Sequence, residues 1–355
     1  MAQQQQIRIG YNAIKHIENL YPDHHIHLIH IPELTNDVHC LIRDLLGSRL
    51  ASTRSYRSGM PSVIPTQVMQ SEFWQDDRVR EDVLLAIGGG SVMDLAKVLR
   101  FKPNTAQWLV NHLDREISLD CEVAIPLILM PTTAGTGSEV TPTATIWDFS
   151  QKKKHSLFGD AVMANHAIID PALCLGASWQ ITRDSALDAL SHALESIWNV
   201  HHNNYSTTLS FKAICSICKY LPLIQNDLNN IEWRLQLSEA ALNAGLAMAK
   251  TQTALVHALS YQDTLEHHKS HGESCAYWLP YVWQIFINSE CDPSIKQTVA
   301  LALENYFKSP FQMHAWLTRL GVQSVDPSRV DNETINRIAQ IKCSVRGRNF
   351  AGFFV

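Results

Sequence analysis

Residues 83–99 constrain the fold more than any other stretch. Val83-Leu-Leu-Ala-Ile87 is a short unbroken apolar run, as a strand buried on both faces requires. Gly88-Gly89-Gly90-Ser91 follows, and then Val92-Met-Asp94-Leu-Ala-Lys97-Val-Leu at helical spacing. Strand, glycine turn and helix in that order belong to an α/β sheet. Three glycines let the backbone approach a bulky anion, and the helix N-terminus then points amides and a positive dipole at it. Ser91 is expected to cap the helix and to touch the anion. The motif is neither G-x-G-x-x-G nor a Walker P-loop. It reads as a diphosphate cradle or as a tight structural turn.

The neighbouring stretches extend the α/β reading over residues 1–176. Ile7–Ile9 and His25–His30 read as strands and Asp37–Leu50 as a helix. Residues 54–65 read mostly as loop, and Gln67–Glu81 as a helix. Pro126–Met130 reads as a strand running into Pro131-Thr132-Thr133-Ala-Gly135-Thr136-Gly137-Ser138-Glu139-Val-Thr141. Hydroxyls just past a strand's carboxyl end suit ribose and amide groups, and open α/β sheets place ligands there. Thr143–Asp148 and Lys154–Leu157 suggest a hairpin, and Ala167–Asp170 a last strand. One of the lysines 152–154 could reach phosphate or ribose; a solvated turn is the simpler reading.

From about residue 178 the pattern turns helical, which places an all-α domain at 177–355. Helices are expected near 184–199, 205–223, 230–250, 251–262 and 273–289. In the first of these, Asp188 and His192 are four residues apart and leave the same helix face. Such a pair can grip a divalent cation or simply form a surface pair. His257 and His271 would complete one oxygen and three nitrogen donors, a set suited to Fe(II), Zn(II) or Co(II). Glu195, three residues past His192, reads as a partner for a ligand or as a solvated charge.

Bulk properties exclude several classes. The net charge of -5 gives no basic footprint for nucleic acid. No apolar run approaches the roughly 20 residues needed to span a bilayer. The start, Met-Ala-Gln-Gln-Gln-Gln, shows no signal-peptide pattern, so a cytoplasmic protein is expected. Eight cysteines are scattered, and Cys215-x-x-Cys218 lacks a second pair, so buried thiols are expected there. His24-His25-x-His27 and His201-His202 show no acidic or cysteine partner at useful spacing. A homodimer is the default for an enzyme of this size.

Together, Gly-Gly-Gly-Ser-x-x-Asp-x-Ala-Lys, Pro-Thr-Thr-Ala-Gly-Thr-Gly-Ser-Glu, Asp-Ala-Leu-x-His-Ala-x-Glu-Ser, His257 and His271-Gly272 resemble the iron-containing (group III) alcohol dehydrogenase family. The match covers roughly residues 80–285. Glu195-Ser-Ile-Trp198-Asn-Val and Thr251-x-Thr253-Ala-x-x-His257-Ala-Leu-Ser-Tyr261 look most like its phosphonoacetaldehyde reductase branch.

The resemblance implies a dehydroquinate-synthase-like architecture: a Rossmann-like α/β nucleotide-binding domain with a mainly parallel sheet, then an all-α domain, with a metal between them. Asp188, His192, His257 and His271 would be the ligands of Fe(II), or alternatively Zn(II). Gly88, Gly89, Gly90, Ser91 and Asp94 belong to the motif that would hold the pyrophosphate of NAD(H) or NADP(H). Thr132, Thr133 and Thr141 would line the nicotinamide side, and Lys154 would meet the ribose. The implied activity is reduction of an aldehyde to a primary alcohol, with phosphonoacetaldehyde as a candidate substrate. An idle homologue and a non-redox sugar-phosphate cyclase are the alternatives.

Three departures from the family pattern stand out. Tyr261 replaces a histidine four residues past the third ligand, and its phenol is the candidate proton donor. Ser270 replaces a proline, and His267-His268-Lys269 before it suggests a cationic loop near the metal. The chain ends in Arg346-Gly-Arg348-Asn-Phe-Ala-Gly-Phe-Phe-Val355, which puts a last helix in question. Glu33 is the acidic residue nearest the end of the second strand, and it leaves the choice of NADH or NADPH open.

Overall fold

The computed structural model describes residues 4–353 except 57–60, 76, 118–122, 267–268 and 329–331. Eight strands are described: β1 Gln6–Ile9, β2 Ile26–His30, β3 Leu50–Ser55, β4 Val83–Gly88, β5 Leu127–Pro131, β6 Thr143–Asp148, β7 Lys153–Phe158 and β8 His166–Ile169. Among them run helices α1 Asn36–Leu46, α2 Val63–Phe73, α3 Gly90–Leu99 and α4 Trp108–His112. Beyond them come α5 Trp179–Ile197, α6 Asn204–Ile224, α7 Ile231–Thr251, α8 Leu255–Glu266 and α9 His271–Asn288. The last helices are α10 Pro293–Leu303, α11 Pro310–Arg319, α12 Asn332–Lys342 and α13 Val345–Asn349. Two compact units result, one of residues 1–133 and 138–177, the other of 134–137 and 178–355.

The first unit is built on a six-stranded sheet in the order β1-β8-β5-β4-β2-β3, and every pairing is parallel. The alternation of side chains along β4 explains its burial. Val83, Leu85 and Ile87 pack on one face with Ile42 and Leu46 of α1. Leu84 and Ala86 pack on the other with Val92, Leu95 and Ala96 of α3. With helices on both faces, the strand reads as a continuous apolar run. The chain moves outward from β2 to β3, then reverses to β4 and β5. The glycine turn lies at that reversal, the usual ligand end of such sheets. β6 and β7 form a separate antiparallel hairpin.

Several local expectations needed correction. β3 lies where helix and loop were expected, because it is an edge strand of Ser, Thr and Arg with mostly exposed side chains. No apolar alternation marks such a strand. α2 begins at Val63, earlier than expected, and ends at Phe73. α7 ends at Thr251, where Gln252 takes φ 62°, and α8 starts afresh at Leu255.

Lys97 on α3 is fully buried, a costly position for an ammonium unless its protons are satisfied. It donates to Ser138 Oγ and to the carbonyls of Thr141 and Thr143. Asp94, one turn earlier, accepts from Ser138 Oγ and from the Thr145 amide. This pair therefore fastens the hydroxyl-rich loop to α3. Burial lowers the Lys97 pKa to about 8, against the pull of Asp94 and Glu139.

The second unit is helical. α5 is buried on every side from Ala186 to Ile197, so it lies at the centre of its unit rather than at the surface. α6, α7 and α9 pack around it. The C-terminal region is also helical, as α12 and α13, with Phe350 fully buried against Trp198 and Phe286. Among the described residues, no helix is long and apolar enough to cross a membrane.

The buried Glu139 generates a test. Burial pushes its carboxyl up to about 7, despite its own backbone amide and Lys97. A folded-state value above the unfolded 4.5 gives stability that is full below that pH and is lost as pH rises through about 7. Glu139→Gln removes this titration. The variant should gain on the wild-type chain between pH 5 and pH 8, by on the order of 2 kcal/mol. Denaturant midpoints measured across that range check this, and parallel pH profiles would contradict it.

Candidate metal centre

Asp188 and His192 project from the same face of α5, as their four-residue spacing requires. His257 comes from the first turn of α8, and His271 is the first residue of α9. The structure brings all four together. Asp188 Oδ1 lies 3.4 Å from His257 Nε2, 3.7 Å from His192 Nε2 and 3.9 Å from His271 Nε2. The His192 and His257 rings stack at 4.6 Å, and the His271 ring meets His257 edge-on at 5.3 Å. Asp188 and His257 are 3% and 1% exposed.

Two of these atoms pose a physical problem. Asp188 Oδ1 and His257 Nε2 are buried and have no hydrogen-bond partner among the described residues. Leaving such groups unsatisfied costs about 1–3 kcal/mol each, and more when charged. Donor atoms about 3.4 Å apart are what bonds of about 2.1 Å make at tetrahedral angles. A divalent cation would satisfy both atoms, so the residues present fit one.

Glu195 settles its own role. It is fully buried on α5 and accepts from His257 Nδ1 at 2.6 Å. Its carboxylate also accepts from the amides of Ala254 and Val256, and so caps the start of α8 from another helix. In the neutral ring, Nδ1 donating to Glu195 leaves the His257 lone pair on Nε2, facing Asp188.

The electrostatics favour positive charge here. Burial would raise the Asp188 pKa, but His192, His257 and His271 hold it well below the usual carboxylate range. Burial would lower that of His257, but Cys275, Glu195 and Asp188 raise it well above the ordinary imidazole value.

α9 approaches α5 very closely. A Cβ on Gly272 would stand 1.8 Å from the Asp184 carbonyl oxygen, so only glycine fits. Ser270 N-caps α9, accepting from the Glu273 amide, and its hydroxyl donates to Asp184 Oδ2 at 2.6 Å. The serine thus anchors the helix that carries His271. In the stretch expected to form a cationic loop, Lys269 Nζ lies 4.5 Å over the Tyr277 ring. His267 and His268 fall outside the described residues. The Tyr261 ring stacks near His271 at 6.1 Å, and the Arg346 guanidinium lies 4.9 Å over it.

The residues expected on the nucleotide side lie in the first unit. Gly88 pairs with Pro131 across β4 and β5, and the Thr132 amide donates to the Gly88 carbonyl. Thr133 Oγ1 comes within 3.5 Å of where a Gly89 Cβ would stand. Contrary to expectation, Ser91 does not cap α3. Gly89 is the N-cap and no side chain caps the helix, because the helix starts one residue before the serine. Asp94 and Thr141 belong to the Lys97 network, Thr141 Oγ1 standing 3.4 Å from Lys97 Nζ. Lys154 Nζ lies 5.5 Å over the Trp147 ring within the hairpin.

His25 and His27 have the acidic partner that local spacing did not reveal, Asp82, with His27 Nε2 at 2.8 Å. Cys275 was missed altogether. Its sulfur, with donors of Asp188, His257 and His271, forms a group whose atoms all lie within 4.8 Å of one another. The signal was present: Cys275 follows His271 by four residues, as His192 follows Asp188.

Glu195→Gln keeps the shape but removes the charge that orients His257. Affinity for a divalent ion, measured by competition with a chromophoric chelator, should fall about 10–100-fold. Unchanged affinity would mean that Glu195 serves only to cap α8.

Comparison with known proteins fits this arrangement. Residues 6–171 match the iron-containing alcohol dehydrogenase family, and residues 182–347 match the C-terminal part of the same family. The chain is 34% identical over 206 residues to phosphonoacetaldehyde reductase of Streptomyces viridochromogenes, covering 57% of this chain and 52% of that one. It is 30% identical over 208 residues to 1-propanol dehydrogenase PduQ of Citrobacter freundii, covering 59% and 52%. These matches span about half the length of those relatives. The fold matches sulfoacetaldehyde reductase of Bifidobacterium kashiwanohense, solved in complex with NAD+, with a TM-score of 0.83 at 24% identity, over 98% of this chain and 93% of that one. With its parallel sheet, its helical second unit and both family regions in order, the chain belongs to the iron-containing alcohol dehydrogenase family.

Proposed function

We propose that this protein reduces a small aldehyde to its primary alcohol, with a nicotinamide cofactor and a divalent metal held by Asp188, His192, His257 and His271. The observation that carries this reading is the buried Asp188–His257 pair, with its facing atoms unsatisfied and two further imidazoles beside it. In this reading residues 1–176 bind the dinucleotide and 177–355 the metal. The protein acts as a cytoplasmic homodimer. Fe(II) is the first choice for one carboxylate and three imidazoles, and Zn(II) the second. When bound, the cation supplies Lewis acidity toward a carbonyl oxygen, and NAD(H) or NADP(H) supplies the redox change.

The chain's own residues orient and exclude. Glu195 holds His257 in one tautomer. Gly88, Gly89, Gly90 and Ser91 turn the uncapped amides of α3 toward a diphosphate. Thr132 and Thr133 stand beside that turn and line the nicotinamide side with Thr141, which Lys97 and Asp94 hold through the loop. Lys154 meets the ribose. Tyr261, stacked near His271, donates a proton to the product oxygen.

The finer substrate is phosphonoacetaldehyde, giving 2-hydroxyethylphosphonate. Two observations support it: the relative named for that aldehyde and the Arg346 guanidinium over Tyr261. Arginine suits phosphonate oxygens because its planar fork can bind two of them.

Nicotinamide absorbance on anaerobic, Fe(II)-loaded protein tests the reading. Phosphonoacetaldehyde should be turned over with a kcat/KM about tenfold or more above that of acetaldehyde. His257→Ala should abolish turnover, and Tyr261→Phe should lower kcat while leaving metal content intact. Preference for acetaldehyde would remove the phosphonate reading, and full activity in metal-free protein would remove the metal.

A further inference from the structure

We infer that Cys275 gives the metal centre a sulfur donor, so that the site combines carboxylate, imidazole and thiolate. The inference rests on the metal-binding reading above and adds a ligand to it. Two helices each present a pair one turn apart: Asp188 and His192 on α5, His271 and Cys275 on α9. His257 closes the group from α8. Cys275 is fully buried, and its Sγ lies 3.9 Å from His271 Nε2. The donor atoms of Asp188, His257, His271 and Cys275 are mutually within 4.8 Å. Among the described residues, no other set of three or more His, Cys, Asp or Glu side chains gathers in this way. Cys275 is a free thiol, so a disulfide does not consume it.

Forming the metal–sulfur bond releases the thiol proton to solvent and changes no oxidation state. The consequence is selectivity. Thiolate is a softer ligand than carboxylate or imidazole, so it raises the affinity for Zn(II) relative to Fe(II). In this chain the sulfur tilts a site of hard and borderline donors toward the thiophilic ion.

X-ray absorption at the zinc edge tests this on the full chain loaded with one equivalent of Zn(II). The expected result is one sulfur scatterer at about 2.3 Å beside nitrogen and oxygen at about 2.0–2.1 Å. Cys275→Ser should lose the sulfur scatterer, keep bound zinc, and lower the Zn(II)-over-Fe(II) preference about tenfold or more. If serine at this buried position prevents folding, Cys275→Ala replaces it in the same measurement. Bound zinc with only nitrogen and oxygen neighbours in the wild-type protein would overturn the sulfur inference alone. A sulfur signal that survives in the folded variant would overturn it too, by placing the zinc at another thiol. Failure of the wild-type protein to bind stoichiometric zinc or iron would overturn the metal reading itself.

Discussion

The buried carboxylate of Glu195 is the interaction on which the helical unit depends. A charge at 0% exposure is costly, and the cost is offset only if donors surround it. Here they do: three backbone amides at the start of α8 and the Nδ1–H of His257. One group therefore does three jobs. It satisfies the first turn of α8, fixes where that helix begins, and sets the orientation of the imidazole. The left-handed Gln252 breaks α7 just upstream, so the amides of α8 are available to be capped from α5.

The α/β unit uses the same physics with the sign reversed. There the buried charge is the Lys97 ammonium, satisfied by two carbonyls and two hydroxyls from the loop after β5 and the start of β6. Asp94 completes the arrangement by accepting from Ser138 and Thr145. A loop rich in Gly and Thr would otherwise sample many conformations. Tying it to α3, whose N-terminus follows the glycine turn, gives turn and loop one common support. Asp94 thus acts on the loop through hydrogen bonds of its own, whatever the turn binds.

How much could be read in advance follows from the range of each interaction. The β4–glycine–α3 unit and the α5 pair were legible because a continuous apolar run, a glycine turn and helical spacing are all local. The edge strand β3 was not, since its sequence, Leu-Ala-Ser-Thr-Arg-Ser, buries little and its pairing partner β2 lies about 20 residues away in the chain. The start of α8 was misplaced because its cap is a side chain about 60 residues upstream. Ser91 looked like a cap by residue type, but the glycines let the helix begin one residue sooner.

By itself the sequence determined which residues share a face: Asp188 with His192, and Val83 with Leu85 and Ile87. Those relations follow from the 3.6- and 2-residue periods of the backbone and need no partner. Only the tertiary structure decided which faces meet. It turned Glu195 from an ambiguous helix charge into the brace of His257, placed Ser270 as an anchor on Asp184, and brought the Cys275 sulfur near His257 and Asp188. Such meetings depend on close packing between helices far apart in sequence, down to the missing Cβ of Gly272. No local period encodes that packing.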